Sequence, residues 1–163
     1  RHAAARKYAA QVLPAPAGEP DTTALLARAF TDYAAALGGT TAASRMDDLP
    51  GGSVSSPGRR ELRYWDLQRR LAAGQWREAL QRADETLAAD GAATSYEFEW
   101  RIAAVGAAAA RQLGDATREQ ALRQRAAASL ARLRKEWQSD VPGYESRPDL
   151  VELRRKAGLN SQS

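Results

Sequence analysis

Residues 64–90 read YWDLQRRLAAGQWREALQRADETLAAD, and this stretch decides the fold. Its apolar residues recur every three or four positions on both sides of Gly74, which is the spacing of one helix face. They are Tyr64, Leu67 and Leu71 before the glycine, and Trp76, Ala79, Leu80, Ala83 and Leu87 after it. The spacing predicts two amphipathic helices, and the short connection at Gly74-Gln75-Trp76 requires them to pack antiparallel.

The turn and the second of these helices resemble one tetratricopeptide unit. Gly74, Trp76, Ala79 and Leu87 stand at the family's small, aromatic, small and apolar positions. The resemblance is best over 61–91, and a divergent second unit covers 94–137. The turn of that second unit, LGDATREQAL, has extra residues relative to LAAGQWREAL and lacks the aromatic. The resemblance implies stacked helical hairpins that serve as a binding scaffold for another protein.

Glycine, proline and capping residues predict the ends of the other helices. Apolar spacing favours a helix over 22–37 that Gly38-Gly39 ends, and Pro57 suits the first turn of the next helix. Thr94 and Glu97 have the spacing of a capping box, which predicts a helix start there.

The helix that follows Thr94 is expected to be the central one. One of its faces is apolar and a second consists of small residues, so neighbouring backbones can approach from two sides. The apolar face has Phe98, Ile102, Val105, Ala109 and Leu113, and the small face has Ala103, Gly106, Ala107 and Ala110.

The C-terminal part is predicted to be a long helix, a break and a short helix. Gly114 ends the central helix and Asp115 caps a long helix that reaches Trp137. Residues 139–147 read as a turn-rich break, and 148–157 as a short helix that covers the end of the stack. The order SLARLRKEW, Tyr144 and RPDLVELRR also resembles the ends of helical-repeat regions in large bacterial regulatory proteins.

We therefore expect an all-α chain of tetratricopeptide-like antiparallel hairpins, forming a short solenoid or bundle with a C-terminal capping helix. The predicted domains are an N-terminal helical segment (1–38), a Gly/Ser/Pro-rich linker (39–58), a helical-repeat domain (59–158) and a tail (159–163). The first of these includes a stretch, 1–12, of helix-forming composition.

Composition fits a soluble helical protein. Of 163 residues, 44% are hydrophobic and 27% charged, and alanine is the dominant residue type. The longest apolar run, 102–110, is far shorter than the roughly 20 residues that span a bilayer, so we expect no membrane helix. We favour a cytoplasmic location, and the start at Arg1 rather than Met is compatible with a removed leader.

No residue pattern indicates chemistry, so we predict a non-enzymatic chain without catalytic residues, cofactor or metal. The absence of cysteine excludes disulfides, thiolate nucleophiles and thiolate metal ligands. The single histidine, His2, has no neighbouring acid or nucleophile in sequence. Asp47-Asp48 lacks the spacing of a Ca²⁺ loop, and Glu97 and Glu99 point in different directions on a helix.

Charge and tryptophan content suggest what the chain binds. The net charge is +4, but acidic residues interrupt the arginine clusters, and the charges of 118–135 are expected on a solvated helix face. We therefore do not expect nucleic acid as the main ligand. Trp65 and Trp100 lie off the best apolar stripes. For these two residues, packing in the core and contact with a partner are the two alternatives.

The favoured function is a non-catalytic adaptor that binds another protein or peptide. By analogy with the family, the first helix of each hairpin lines a mainly basic groove suited to an acidic or carboxylate-ended partner. The candidate contact residues are Arg63, Trp65, Asp66, Arg70, Trp100 and Arg101. The alternatives are a structural subunit whose segments 13–20 and 38–58 lie extended on neighbouring proteins and, third, a helical nucleic-acid binder.

Overall fold

A computed structural model of the protein describes residues 22–39, 57–90 and 95–159. Within these ranges the chain is all-α and has no strand, which confirms the predicted fold class. The helices are α1 Thr22–Leu37, α2 Pro57–Ala72, α3 Trp76–Asp90, α4 Tyr96–Leu113, α5 Ala116–Trp137, α6 Val141–Glu145 and α7 Pro148–Lys156, with a 3₁₀ turn, Gln138–Asp140, before α6. None of the helices in these ranges combines the length and apolar content needed to cross a bilayer.

Several predicted segments lie outside the described residues. They are the unplaced stretch 1–12, residues 40–56 of the linker, Thr94, and residues 160–163 of the tail. The chain forms two compact units, Arg1–Gln75 and Trp76–Ser163, and we describe each by itself. The predicted hairpin of α2 and α3 has one helix in each unit, so that hairpin and the single repeat domain over 59–158 stay predictions.

The first unit is built from α1 packed against α2. Ala29 and Leu62 are buried between the two helices, and Leu26 and Trp65 pack against them. The observed bounds of α1 are those predicted, and Gly39 ends it with a φ of 73°, which glycine adopts without strain.

In the second unit, α4 and α5 are antiparallel neighbours. Glu99 near the start of α4 contacts Ser129 near the end of α5, whereas Arg111 at the end of α4 lies 3.5 Å from Glu119 at the start of α5. The reversal takes place at Gly114, which has a φ of 74°, and Asp115 then caps α5 by accepting from the amide of Arg118 at 3.0 Å. These ends are the predicted ones.

The first turn of α4 differs from the prediction. Ser95, not Thr94, is the N-cap, and its hydroxyl accepts from the amide of Phe98. With Ser95 as the N-cap, Glu97 is the second residue of the helix, whereas a capping box needs a glutamate at the third. Its carboxylate instead lies 3.6 Å from the guanidinium of Arg101, one turn further along α4.

The helix α4 is the centre of the second unit, as predicted. It packs against α3, α5 and α7, and every residue from 100 to 110 is buried. Gly106 makes this possible, because a Cβ at that position would lie 3.1 Å from Leu122 of α5 and 3.2 Å from Ala83 of α3. The backbone of α4 therefore approaches two neighbouring helices at the same level.

The segment predicted as a turn-rich break is partly helical. Residues 141–145 form α6 because Tyr144 is held in the core: its hydroxyl accepts a hydrogen bond from the buried indole of Trp100 at 3.0 Å. The rings of Trp137 and Tyr144 also meet edge to face at 5.2 Å. This anchoring places α7 chiefly against α4, rather than across the end of α5 as predicted.

We expect Gly106→Val to destabilise the chain by about 2 kcal/mol, because the added methyl groups must displace α3 or α5 from a close-packed contact. Gly143→Val is the matched control, since nothing lies within 4 Å of a Cβ at that position. Urea unfolding followed by circular dichroism measures both. Equal stability of the two variants would contradict the close approach at Gly106.

Candidate functional site

Four of the predicted contact residues lie on α2 in the first unit. Trp65 is half-buried in an aromatic cluster, with its ring centroid 4.9 Å from that of Phe30 and 5.4 Å from that of Tyr33. Asp66 and Arg70 are bonded to each other at 3.0 Å, and Arg70 is buried. Arg63 is half-buried. Only part of this set is therefore open to a partner.

The other two predicted residues lie inside the second unit. Trp100 is fully buried and bonded to Tyr144, and Arg101 is only 2% exposed. Burial, with the nearby Glu97 carboxylate, raises the pKa of Tyr144 well above its ordinary value. A protein partner cannot reach Trp100 or Arg101 without rearrangement, because α4 is covered along this stretch. The groove predicted between α2 and α4 combines residues of both units and stays a prediction.

The largest exposed helical surface of the second unit belongs to α5. Only five of its 22 residues are buried, namely Leu122, Ala126, Ser129, Leu130 and Leu133. Along the opposite side runs a set of exposed, uncharged residues that we name the α5 strip: Thr117, Gln120, Ala121, Gln124, Ala127, Ala128 and Ala131. The strip is free of charge over about four helical turns.

One edge of the α5 strip is formed by three arginines spaced seven residues apart, which places them on one side of the helix. Arg118 lies 3.1 Å from Asp84 of α3, and Arg125 lies 2.7 Å from Glu99 of α4. Arg132 stacks over the ring of Tyr96, 5.4 Å from its centroid. This edge thus reaches over α3 and α4.

The opposite edge has two arginines that are eleven residues, or about three turns, apart. Arg134 makes two bonds to the carboxylate of Glu145, at 2.7 and 3.1 Å, and Glu145 is also 3.2 Å from Arg154 of α7. Arg123 lies beside Gly158 and 4.0 Å from Glu119. These five arginines therefore lie on the edges of α5 and contact neighbouring helices, rather than occupying a uniform solvated face as predicted, whereas Lys135 is exposed beyond the end of the strip.

In the ion pairs of Glu99, Glu119 and Glu145, the carboxylates lie beneath the arginines. The side chains of Glu99, Glu119 and Glu145 are 16 to 19% exposed, whereas those of Arg123, Arg125 and Arg134 are 42 to 47% exposed. Glu119 lies within 4.0 Å of both Arg111 and Arg123, and Glu145 within 4.0 Å of both Arg134 and Arg154. The edge with Arg123 and Arg134 is therefore basic. On the other edge, Asp84, Glu99 and the exposed Glu136 balance the three arginines.

An open groove of about 470 Å³ runs beside the α5 strip. Its walls are Ala116, Glu119, Gln120, Arg123, Gln124, Ala127 and Leu159. Leu159 supplies an apolar wall from the segment after α7, and the α5 side combines small and amide side chains with the charged Glu119 and Arg123. The groove can therefore accept an apolar side chain beside a close-packed backbone.

Nothing in the residues that the structure describes brings together three or more potential metal-ligating side chains.

Comparison with known proteins does not identify the site either. No family model, no curated protein and no solved structure matches the chain. The candidate site is therefore defined by its own geometry.

Glu99 is the carboxylate that fixes α5 against α4. Burial by itself raises the pKa of Glu99, but hydrogen bonds from Ser129 and Arg125 outweigh it, so the pKa lies below the ordinary value of 4.5. A lowered pKa means that the folded chain binds this proton less readily than the unfolded chain. The stabilisation from Glu99 is therefore present above the ordinary pKa and lost as pH falls through the lowered one.

We expect Glu99→Gln to lower the free energy of unfolding by about 1 kcal/mol at neutral pH, with a smaller difference from wild type at an acidic pH below 4.5. Urea unfolding at both pH values tests this. Glu152→Gln removes an exposed ion pair with Arg155 and should change stability little at either pH. A Glu99→Gln deficit that stays constant with pH would show that the ionised carboxylate is not the stabilising group.

Proposed function

We propose that the chain is a non-catalytic module that binds another protein through the α5 strip and its two edges. The observation that carries the proposal is the distribution of charge on α5. An exposed helix in water ordinarily has charged residues across its outer face, where they interact with solvent and with each other. Here the outer face from Thr117 to Ala131 is small and uncharged, and arginines lie on both sides of it.

The packing of the second unit also supports a binding module. The helix α3 packs against α4, and α4 packs against α5, so that neighbours in sequence are neighbours in space, as in helical repeats. Since α4 is covered, α5 is the most exposed of these three helices.

The two alternatives have less support from the described residues. A nucleic-acid binder needs cations gathered where phosphates lie, whereas the centre of the α5 surface is uncharged and carboxylates underlie its edges. A subunit with extended segments on its neighbours depends on 13–20 and 38–58, most of which lies outside the described residues.

A pull-down with the full 163-residue chain tests the proposal. We expect specific protein partners to be captured from a lysate of the source cells and to be lost with Ala127→Glu. That substitution places a charge and extra volume in the strip and retains good helix propensity. Ala89→Glu, on the exposed end of α3, is the matched control and should retain the partners.

Arg63→Glu distinguishes the α5 strip from the groove predicted from sequence, because Arg63 belongs only to that groove. If Arg63→Glu loses the partners and Ala127→Glu retains them, the partners bind the first unit and not the α5 strip. Capture no different from that of the affinity tag alone would contradict the binding function itself.

A further inference from the structure

We infer that residues 13–20 of this chain dock on an aromatic patch of its own first unit, so that the patch is a proline-binding site with an internal ligand. The aromatic patch consists of Phe30 and Tyr33 of α1 and Trp65 of α2. The inference concerns the first unit and is independent of the role proposed for the α5 strip. It follows from the exposure of the three rings and from the length and composition of the chain before α1.

The three rings of the aromatic patch form a compact surface. The ring centroid of Trp65 is 4.9 Å from that of Phe30 and 5.4 Å from that of Tyr33, and the last two are 6.4 Å apart. Phe30 is 36% exposed, and Tyr33 and Trp65 are half-buried. Trp65 also packs against the buried Ala29 and Leu62, so its ring is held in place. A fixed cluster of aromatic rings with an open side is a common feature of binding surfaces.

The segment that precedes α1 is rich in proline and begins its path next to the patch. Residues 13–21 read LPAPAGEPD, lie outside the described residues and lead directly into α1 at Thr22. To reach the patch, this segment must reverse its direction and run back along α1. Gly18 lies between the prolines and the helix start, and glycine tolerates the backbone angles that a reversal needs.

The segment is also long enough to reach the patch. Phe30 and Tyr33 are about 12 and 17 Å from the start of α1, because a helix rises about 1.5 Å per residue. A polyproline chain advances about 3.1 Å per residue, so Pro16 and Pro14 can lie up to about 19 and 25 Å from the same point. Both prolines therefore reach the rings, with length to spare for the reversal.

The chemistry of the segment suits an aromatic surface. Proline-rich chains adopt the polyproline II conformation before they bind, so docking costs little additional backbone entropy, and aromatic-lined grooves recognise them. Glu19 is the only charged residue of 13–20 and lies next to the helix start, so the rest can be covered without desolvating a charge. Covalent attachment gives the segment an effective concentration on the order of millimolar, which favours even a weak contact.

A second copy of the chain is a less suitable occupant of the patch. Stable interfaces between proteins bury roughly 1,200 Å² or more in total. The patch has one exposed ring and two half-buried ones, which is the size of a contact with a few residues of extended chain. Docking of 13–20 on its own first unit also differs from the alternative in which this segment lies on neighbouring proteins.

Paramagnetic broadening measured by NMR on the full chain tests the inference. The chain has no cysteine, so Ala15→Cys provides a single attachment point for a nitroxide between the two prolines. We expect the nitroxide to abolish the indole N–H signal of Trp65, because docking places the label beside that ring. Reduction of the nitroxide should restore the signal.

Further substitutions in the labelled chain separate docking from attachment alone. The combination of Pro14→Ser and Pro16→Ser removes the internal ligand and should restore the Trp65 signal. Ala17→Ser is the matched control, since it changes the same segment without removing a proline, and it should leave the signal abolished. Phe30→Ala removes the exposed ring of the patch and should restore the signal as well. Circular dichroism of each variant verifies that helical content is retained.

Two results in the labelled chain would overturn the inference. One is a Trp65 signal that the nitroxide leaves unchanged, and the other is broadening that persists equally in the double proline variant. A mixture of isotope-labelled chain without nitroxide and unlabelled chain with nitroxide gives a third test. Loss of the Trp65 signal in this mixture means that 13–20 binds a neighbouring copy, which contradicts docking within one chain.

Discussion

The second unit depends on the close approach of three helices at Gly106. A hydrogen in place of a side chain lets α3 and α5 lie against α4 at one level. Every residue from 100 to 110 is buried, and this burial includes the contact at Gly106. It also removes water from the polar residues of α4, which must then be satisfied within the protein. The indole of Trp100 bonded to Tyr144, and Glu97 beside Arg101, are the result.

Burial of α4 determines what remains for binding. The covered α4 offers little surface, so α5 is the most exposed helix of the second unit. Glu99 and Glu145 pair with Arg125 and Arg134 on the two edges of α5, and the strip between these edges is uncharged. The same contacts thus stabilise the unit and hold arginines along both sides of the strip. Stability and the proposed binding are two consequences of one arrangement.

Much of the fold could be predicted from local sequence. The bounds of α1, the Gly114 turn and the Asp115 cap follow from residues that act on their own backbone, and the small residues of α4 correctly indicated a central helix. Tertiary contacts were harder to predict. Periodicity places Trp100 and Arg101 off the apolar stripe, but it cannot show that α4 is covered on every side. Likewise, α6 forms in a turn-rich segment because Tyr144 reaches a residue 44 positions earlier.

The arrangement of charge on α5 is harder to predict from sequence than the helix itself. Amphipathic spacing predicts a single polar face over 118–135, although the seven-residue spacing of Arg118, Arg125 and Arg132 already places these three on one side. The exposure of Trp76, 37% in the structure, was missed as well. The tetratricopeptide pattern predicts that Trp76 packs within a repeat. A sequence pattern does not show which side chains lie beside Trp76.

Hydrogen exchange measured by mass spectrometry tests the central claim most directly. If α4 is the covered centre of the second unit, its amides over 100–110 exchange more slowly than those of α5 and α7. They then open only with global unfolding, at the free energy that denaturant titration gives. Exchange of 100–110 as fast as that of α5 would contradict the account, because it would mean that α4 is open to solvent and the strip is not the main accessible surface.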